Sequence, residues 1–186
     1  MVFIHDTRDQ PGKHKNLEEW MEREGHTLVR SKMYVGDIAL LHDQSVCIDL
    51  KGGGMQEVYS NIVQSHERFR RECIRAAEAE IQLIILVEDK NLHTLEDVKD
   101  WKNPRYERWW RENGFVVQAI KAGKLKNHPM PKSPVPSSRL MGMMDAMQIR
   151  YSCVFKFCDS KDVGSTVFDL LCGEGREHIV QRNRRE

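Results

Sequence analysis

The stretch Gly36–Tyr59, GDIALLHDQSVCIDLKGGGMQEVY, is where the architecture becomes readable. Two apolar runs flank the polar HDQS, the pattern of a β-hairpin. Each run carries an acid, Asp37 and Asp49, and Lys51 follows Asp49 by two positions. Alternate residues of a strand share a face, so Asp49 and Lys51 point the same way. The bland reading is a surface acid and a surface lysine on an edge strand. The apolar setting VCIDLK argues against it, because a buried acid needs a partner. A hairpin can bring Asp37 beside Asp49, and adjacent carboxylates repel unless a cation sits between them. Hard oxygen donors with open positions suit Mg²⁺ or Mn²⁺. An ammonium beside them can orient a water and balance charge on a phosphate. Glycines 52–54 would leave room for a phosphate backbone to approach.

On the N-terminal side, MVFIHD reads as a first strand and NLEEWMEREGH as a helix with Leu17, Trp20 and Met21 on one face, stopped at Gly25. TLVRSKM is strand-like. From Met55 to Glu80 the apolar or small residues Val58, Ile62, Ser65, Phe69, Cys73 and Ala76 keep helical spacing. IQLIILVED is a continuous apolar run, typical of a sheet interior. The rhythm then breaks over about 92–136, which carries four of the six prolines between Pro129 and Pro136. This segment reads as an insertion or lid that ends in an extended linker. SRLMGMMDAMQIRY is a helix whose Leu140, Met143, Met144 and Met147 form a core stripe. SCVFKFCD is a strand, and SKDVGSTVFDLLCGEG a capped helix ended by glycine. The order is β-α-β-β-β-α-β, insertion, α-β-α, an α/β sheet flanked by helices.

With 186 residues the chain suits one domain. No apolar run approaches the roughly 20 residues of a membrane helix, and no secretory signal is visible at the N-terminus. Five scattered cysteines, with no CxxC pair, read as free thiols rather than a zinc site. The formal net charge of +1 favours no class of partner. Local runs say more: Lys121, Lys124, Lys126, Lys132 and Arg139 lie in a span without an acid, and the tail REHIVQRNRRE is mostly basic. Such runs can contact phosphates or stand as solvated loop and frayed end.

Asp37, a gap and then Asp49-x-Lys51 is the PD-(D/E)xK nuclease pattern, weak when taken alone. Several ordered motifs make the resemblance specific. IHDTRDQ resembles the opening motif of the XPF-type (ERCC4-domain) nucleases, VGDIAL their G-D motif, IDLKGGGMQEVYSNI their E-R-K and following helix, and HERFRREC with LIILVED the next helix and strand. The likeness resumes in SSRLMGMMDAMQIRYSCVFKFCDSKDVGSTVFDLL and omits about 92–136. It implies a single nuclease domain over 1–186, restriction-endonuclease-like: a central mixed sheet flanked by helices, with the insertion between.

The resemblance further implies that Asp37, Asp49 and the Leu50 carbonyl hold Mg²⁺ or Mn²⁺ and that Lys51 is catalytic. Asp6 is a further candidate metal ligand and, with Asp9, would border the site. Arg8, Arg30, Lys32, Arg68, Lys121, Lys124 and Lys126 are the candidates for nucleic-acid contact. Three departures stand out. E-R-K is Asp49-Leu50-Lys51 here, the glycines replace the residues that follow, with Glu57 a candidate for the missing acid, and no helix-hairpin-helix module is visible. The form implied is a stand-alone, cytoplasmic, bacterial or phage nuclease. Two classes of function follow. One is a metal-dependent endonuclease on branched or flap DNA, leaving 5′-phosphate and 3′-hydroxyl ends. The other is an inactive nuclease-like scaffold, which would be expected to have lost the acid-acid-lysine set. An RNase or restriction-like enzyme on the same fold is a third reading. The family's habit of pairing, with the apolar helices RLMGMMDAM and VFDLL, implies a homodimer through the C-terminal helices.

Overall fold

The computed structural model describes residues 1–10 and 12–173; the basic tail 176–186 lies outside them. Among the described residues six strands form one sheet: β1 Val2–Asp6, β2 Thr27–Ser31, β3 Ile38–Leu40, β4 Asp43–Lys51, β5 Gln82–Glu88 and β6 Val154–Cys158, in the order β2-β1-β3-β4-β5-β6. β1 runs parallel to β2, and β4, β5 and β6 are mutually parallel. β3 is antiparallel to both β1 and β4. β1 and β4 therefore point the same way, and only β3 is reversed. The carboxyl ends of the other strands and the amino end of β3 meet at one edge of the sheet.

The helices are α1 Lys15–Arg23, α2 Gly54–Tyr59, α3 His66–Glu78, α4 Pro104–Lys121, α5 Ser137–Tyr151 and α6 Val163–Cys172. Both faces of the sheet are covered, which is why β5 is apolar along its length. Period-two alternation sorts the strand residues. Cys47, Leu83, Ile85 and Val87 enter one core with Phe69, Cys73 and Ala76 of α3 and Leu140, Met144 and Met147 of α5. Ile48, Leu50, Ile84 and Leu86 enter the other with Leu17 and Met21 of α1 and Val163 and Val167 of α6. Asp49 and Lys51 thus fall on the Cys47 face, under α3.

The expected order of elements holds, with three differences. The helix read over Met55–Glu80 is broken. α2 runs into a wide π turn, Ser60–Gln64, closed by the Ser65 amide on the Ser60 carbonyl (2.8 Å), and Ser65 is exposed. Second, the segment after β5 is more than a polar lid. Leu92 and Val98 are buried, a 3₁₀ turn covers Glu96–Asp100, and Asn103 caps the 18-residue α4. The longest stretch of it without helix or strand is 122–136, which holds four prolines. Third, the apolar faces of α5 and α6 are used inside the two cores, so the surplus helix surface that argued for a homodimer does not exist on those faces. Four of the five cysteines are buried, and none is joined in a disulfide. Among the described residues no helix is long and apolar enough to cross a membrane.

Candidate functional site

The sheet edge where the strand ends meet holds a cleft of about 460 Å³. Three features of the chain build it. Gly36, at φ +69°, turns the chain into β3 where a side chain would meet the Ile48 carbonyl at 3.0 Å. Asp37 follows at the sheet edge, its amide on the Ile48 carbonyl (2.8 Å). β4 then delivers Asp49 and Lys51 on one face. Finally Gly54, at φ +60°, starts α2 within 2.9 Å of the Glu88 carbonyl, measured from a Cβ placed on it, a space only glycine fits.

Lys51 Nζ donates to Asp49 Oδ1 at 2.6 Å, and both residues are buried. The ammonium also lies 5.6 Å from the centre of the Phe69 ring. The other Asp49 oxygen, Oδ2, is buried with no hydrogen-bond partner. Asp37 Oδ2 accepts the Leu50 amide at 2.8 Å. In an extended strand the amide and carbonyl of one residue point to the same side, so the Leu50 carbonyl is aimed toward Asp37. Burial, reinforced by the charges of Asp49 and Asp9, raises the proton affinity of Asp37 well above that of an ordinary aspartate. Burial and the charge of Asp49 also raise the proton affinity of Glu72, whose Oε1 accepts the Gly36 amide at 3.2 Å. Burial disfavours the Lys51 charge, but Asp49, Asp37 and Glu57 outweigh it and hold the ammonium protonated.

The donor set therefore passes a simple test for a hard divalent cation. A buried carboxylate oxygen lacks a partner beside a second carboxyl that resists ionising, and a cation would satisfy both. Asp37, Asp49 and the Leu50 carbonyl are the groups that could hold it.

The remaining predicted residues divide. Arg8 and Arg68 line the cleft. Asp6 does not: Arg8 occupies both its oxygens, through the backbone amide (2.8 Å), Nε (2.8 Å) and a further bond from Nη2. That ion pair holds the Asp6 carboxyl below the usual range in spite of burial. Asp9 lines the cleft in its place, with Lys13 Nζ on its Oδ1 at 2.9 Å. Arg30 sits on the edge strand β2 and braces the loop behind the cleft, through the Asp9 carbonyl and His5 Nδ1 (3.3 Å). Lys32, Lys121, Lys124 and Lys126 are exposed and line no part of the cleft.

Of glycines 52 to 54, the last two meet the protein's own groups closely. The Gly53 amide donates to Glu57 (3.0 Å), which lines the cleft, and a Cβ at Gly54 would meet the Glu88 carbonyl. Sequence reasoning missed four lining residues: Glu72, Arg75, Lys13 and Asn61. Arg71 lines the cleft as well. Helical spacing from Arg68 reaches Arg71, Glu72 and Arg75, so the α3 residues could have been found. Lys13 and His14 depend on the course of the loop after β1, which no periodicity reports.

No protein-family profile and no curated protein matches the chain. Solved structures do. XPF from Aeropyrum pernix matches with a TM-score of 0.59 at 14% identity, over 100% of this chain and 69% of that one. XPF from the same organism in a complex with DNA matches with a TM-score of 0.56 at 14% identity, over 95% of this chain and 66% of that one. The fold is of the XPF nuclease type.

Proposed function

We propose that this chain is a divalent-cation-dependent DNA endonuclease that cuts phosphodiester bonds to leave 5′-phosphate and 3′-hydroxyl ends. The observation that carries it is the convergence of Asp37, Asp49 and Lys51 at one cleft, with a buried Asp49 oxygen left unpaired. The likeness to an XPF structure determined with DNA supports the choice of polymer, and the same likeness makes branched or flap DNA the first substrate class to try. An inactive scaffold would have no use for an acid-acid-lysine set kept intact and desolvated.

Asp37, Asp49 and the Leu50 carbonyl would hold Mg²⁺ or Mn²⁺. When bound, such an ion polarises the phosphoryl oxygen and lowers the pKa of a coordinated water. The chain does the rest. Lys51, protonated and pinned to Asp49, cannot serve as a base; its ammonium can donate to a phosphate oxygen as negative charge builds in the transition state. Glu72, with its raised proton affinity, is suited to take up the proton of the attacking water. Arg68, Arg71 and Arg75, one face of α3, with Arg8 opposite, can position the phosphates on either side of the scissile bond.

Labelled flap, fork, junction, duplex and single-stranded DNAs, incubated with Mg²⁺ or EDTA, test the reading. Wild-type protein is expected to cleave at least one, and Asp49→Asn none, with the far-UV circular dichroism of the two proteins alike. Near wild-type turnover by Asp49→Asn would sink the assignment.

A further inference from the structure

The loop after β1 and the first residue before α1 put a second set of donors against Asp37. One ligand atom from each of Asp9, His14 and Asp37 lies within 4.8 Å of the others. His14 is 3% exposed, and neither of its ring nitrogens has a hydrogen-bond partner. Asp9 Oδ2 is likewise buried without one. His14 Nε2 and Asp9 Oδ2 are 3.2 Å apart, close enough to bond but not aligned to do so. In the metal-free protein the two stand as an ion pair of poor alignment; a cation that displaces the imidazole proton would lie between Nε2 and Oδ2.

The other side of the imidazole is also prepared. His14 Nδ1 faces Glu88 Oε1 at 3.8 Å, and Ser160 Oγ donates to Glu88 Oε2. A carboxylate behind a histidine fixes its tautomer and raises its basicity as a ligand, the outer arrangement found around metal-bound imidazoles. Gly52 lies beside both groups: a Cβ placed on it would stand in ordinary contact, 3.5 Å from the His14 ring and 3.4 Å from Glu88.

We propose that Asp9, His14 and Asp37 form a second cation position, distinct from the Asp37–Asp49 position, which takes a borderline transition-metal ion of the Mn²⁺, Co²⁺ or Zn²⁺ class in preference to Mg²⁺. The imidazole nitrogen gives the preference, since Mg²⁺ takes oxygen donors and keeps its waters whereas imidazole suits the later metals. Metal–ligand bonds of about 2.1 Å place donors roughly 3–4 Å apart. The three side chains need to close in only slightly to reach that spacing. The inference shares Asp37 with the proposed nuclease centre and otherwise stands apart from it.

The test is cation binding by the metal-free full chain. Calorimetry with Zn²⁺ and with Mn²⁺ is expected to show two ions on the wild-type protein. His14→Gln should lose one of them, or weaken it at least tenfold, and Asp49→Asn should keep the ion that His14 holds. A variant-free reading guards against misfolding: in protein labelled with ¹⁵N at histidine, Zn²⁺ should move one ring nitrogen of His14 to a metal-bound position, and excess Mg²⁺ should not. Identical isotherms for wild-type and His14→Gln, or a His14 ring signal that Zn²⁺ leaves in place, would overturn the proposal. Cleavage is scored separately on the wild-type protein. Two bound ions without cleavage fail the nuclease reading alone, and cleavage without a Zn²⁺ response at His14 fails this inference alone.

Discussion

Asp49 divides its two oxygens between a lysine and an unpaired direction, and this division is the most informative fact among single residues. The acid and its lysine were legible in the sequence because a D-x-K in an apolar run has to face the same side of a strand. His14 was not legible, since nothing in DQPGKHK marks a side chain that the loop folds under a sheet edge. Its burial there has a consequence for pH. Burial lowers the proton affinity of His14, but Asp9 and Glu88 outweigh burial and push its pKa from 6.5 up to about 9. A group that binds its proton more tightly when folded stabilises the fold fully below about pH 6.5, and that stability is lost as pH rises toward 9. Urea melts in EDTA should therefore show stability falling across that window, by on the order of 2–3 kcal/mol from this residue. His14→Gln should flatten that part of the slope; a profile unchanged by the substitution would mean that the imidazole is neutral throughout.

Among elements, α3 supplies four of the cleft's lining residues, Arg68, Arg71, Glu72 and Arg75, and in the proposed function it carries the contact with DNA. Its apolar residues Phe69, Cys73 and Ala76 point into the core, and three of its arginines, Arg68, Arg71 and Arg75, line the cleft. Helical spacing made that amphipathic division readable, but the π turn ahead of it was not. The break contains no proline or glycine, and Val58 before it, Ile62 within it and Phe69 after it are all buried, so the apolar period runs through as if the helix were continuous. Substituting Arg71 and Arg75 by alanine should weaken DNA binding tenfold or more at low salt. It should also flatten the plot of log affinity against log salt by about 0.9 for each phosphate no longer neutralised. The exposed Lys121, Lys124 and Lys126 give the control: their triple alanine variant should leave cleavage of saturating DNA unchanged. The start of α2 invites a second test. Gly54→Ala imposes a positive φ on a residue with a Cβ and drives it into the Glu88 carbonyl. A loss of roughly 1–3 kcal/mol in urea unfolding is expected, whereas a neutral result would show that α2 can shift away from β5.

At the scale of the molecule, the arrangement follows one rule: ionisable side chains gather where parallel strands end. Asp49 with Lys51 closes β4 and Asp37 precedes the reversed β3 in the cleft itself, while Asp6 and Glu88 close β1 and β5 at the same edge and hold the neighbouring Arg8 and His14. Open α/β sheets place ligands at the carboxyl ends of their strands for this reason. The layers were readable from the chain, because β5 is apolar throughout and the helices on either face are amphipathic. The fate of α5 and α6 was not, since their apolar stripes read as surplus until the sheet is seen to be covered on both faces.

The same sheet has a timetable. β5 finds its last partner only in β6, and the paired residues Ile84 and Val154 stand 70 positions apart in the chain. During synthesis at about 5–20 residues per second, β5 waits several seconds with its outer row of amides and carbonyls bare. An apolar strand with a free edge is the kind that pairs with its neighbours on other chains. A protein truncated at Arg150 should therefore be recovered mainly as aggregate, and the full chain in solution. The strand that makes the interior of the finished sheet is, until Val154 emerges, its most adhesive surface.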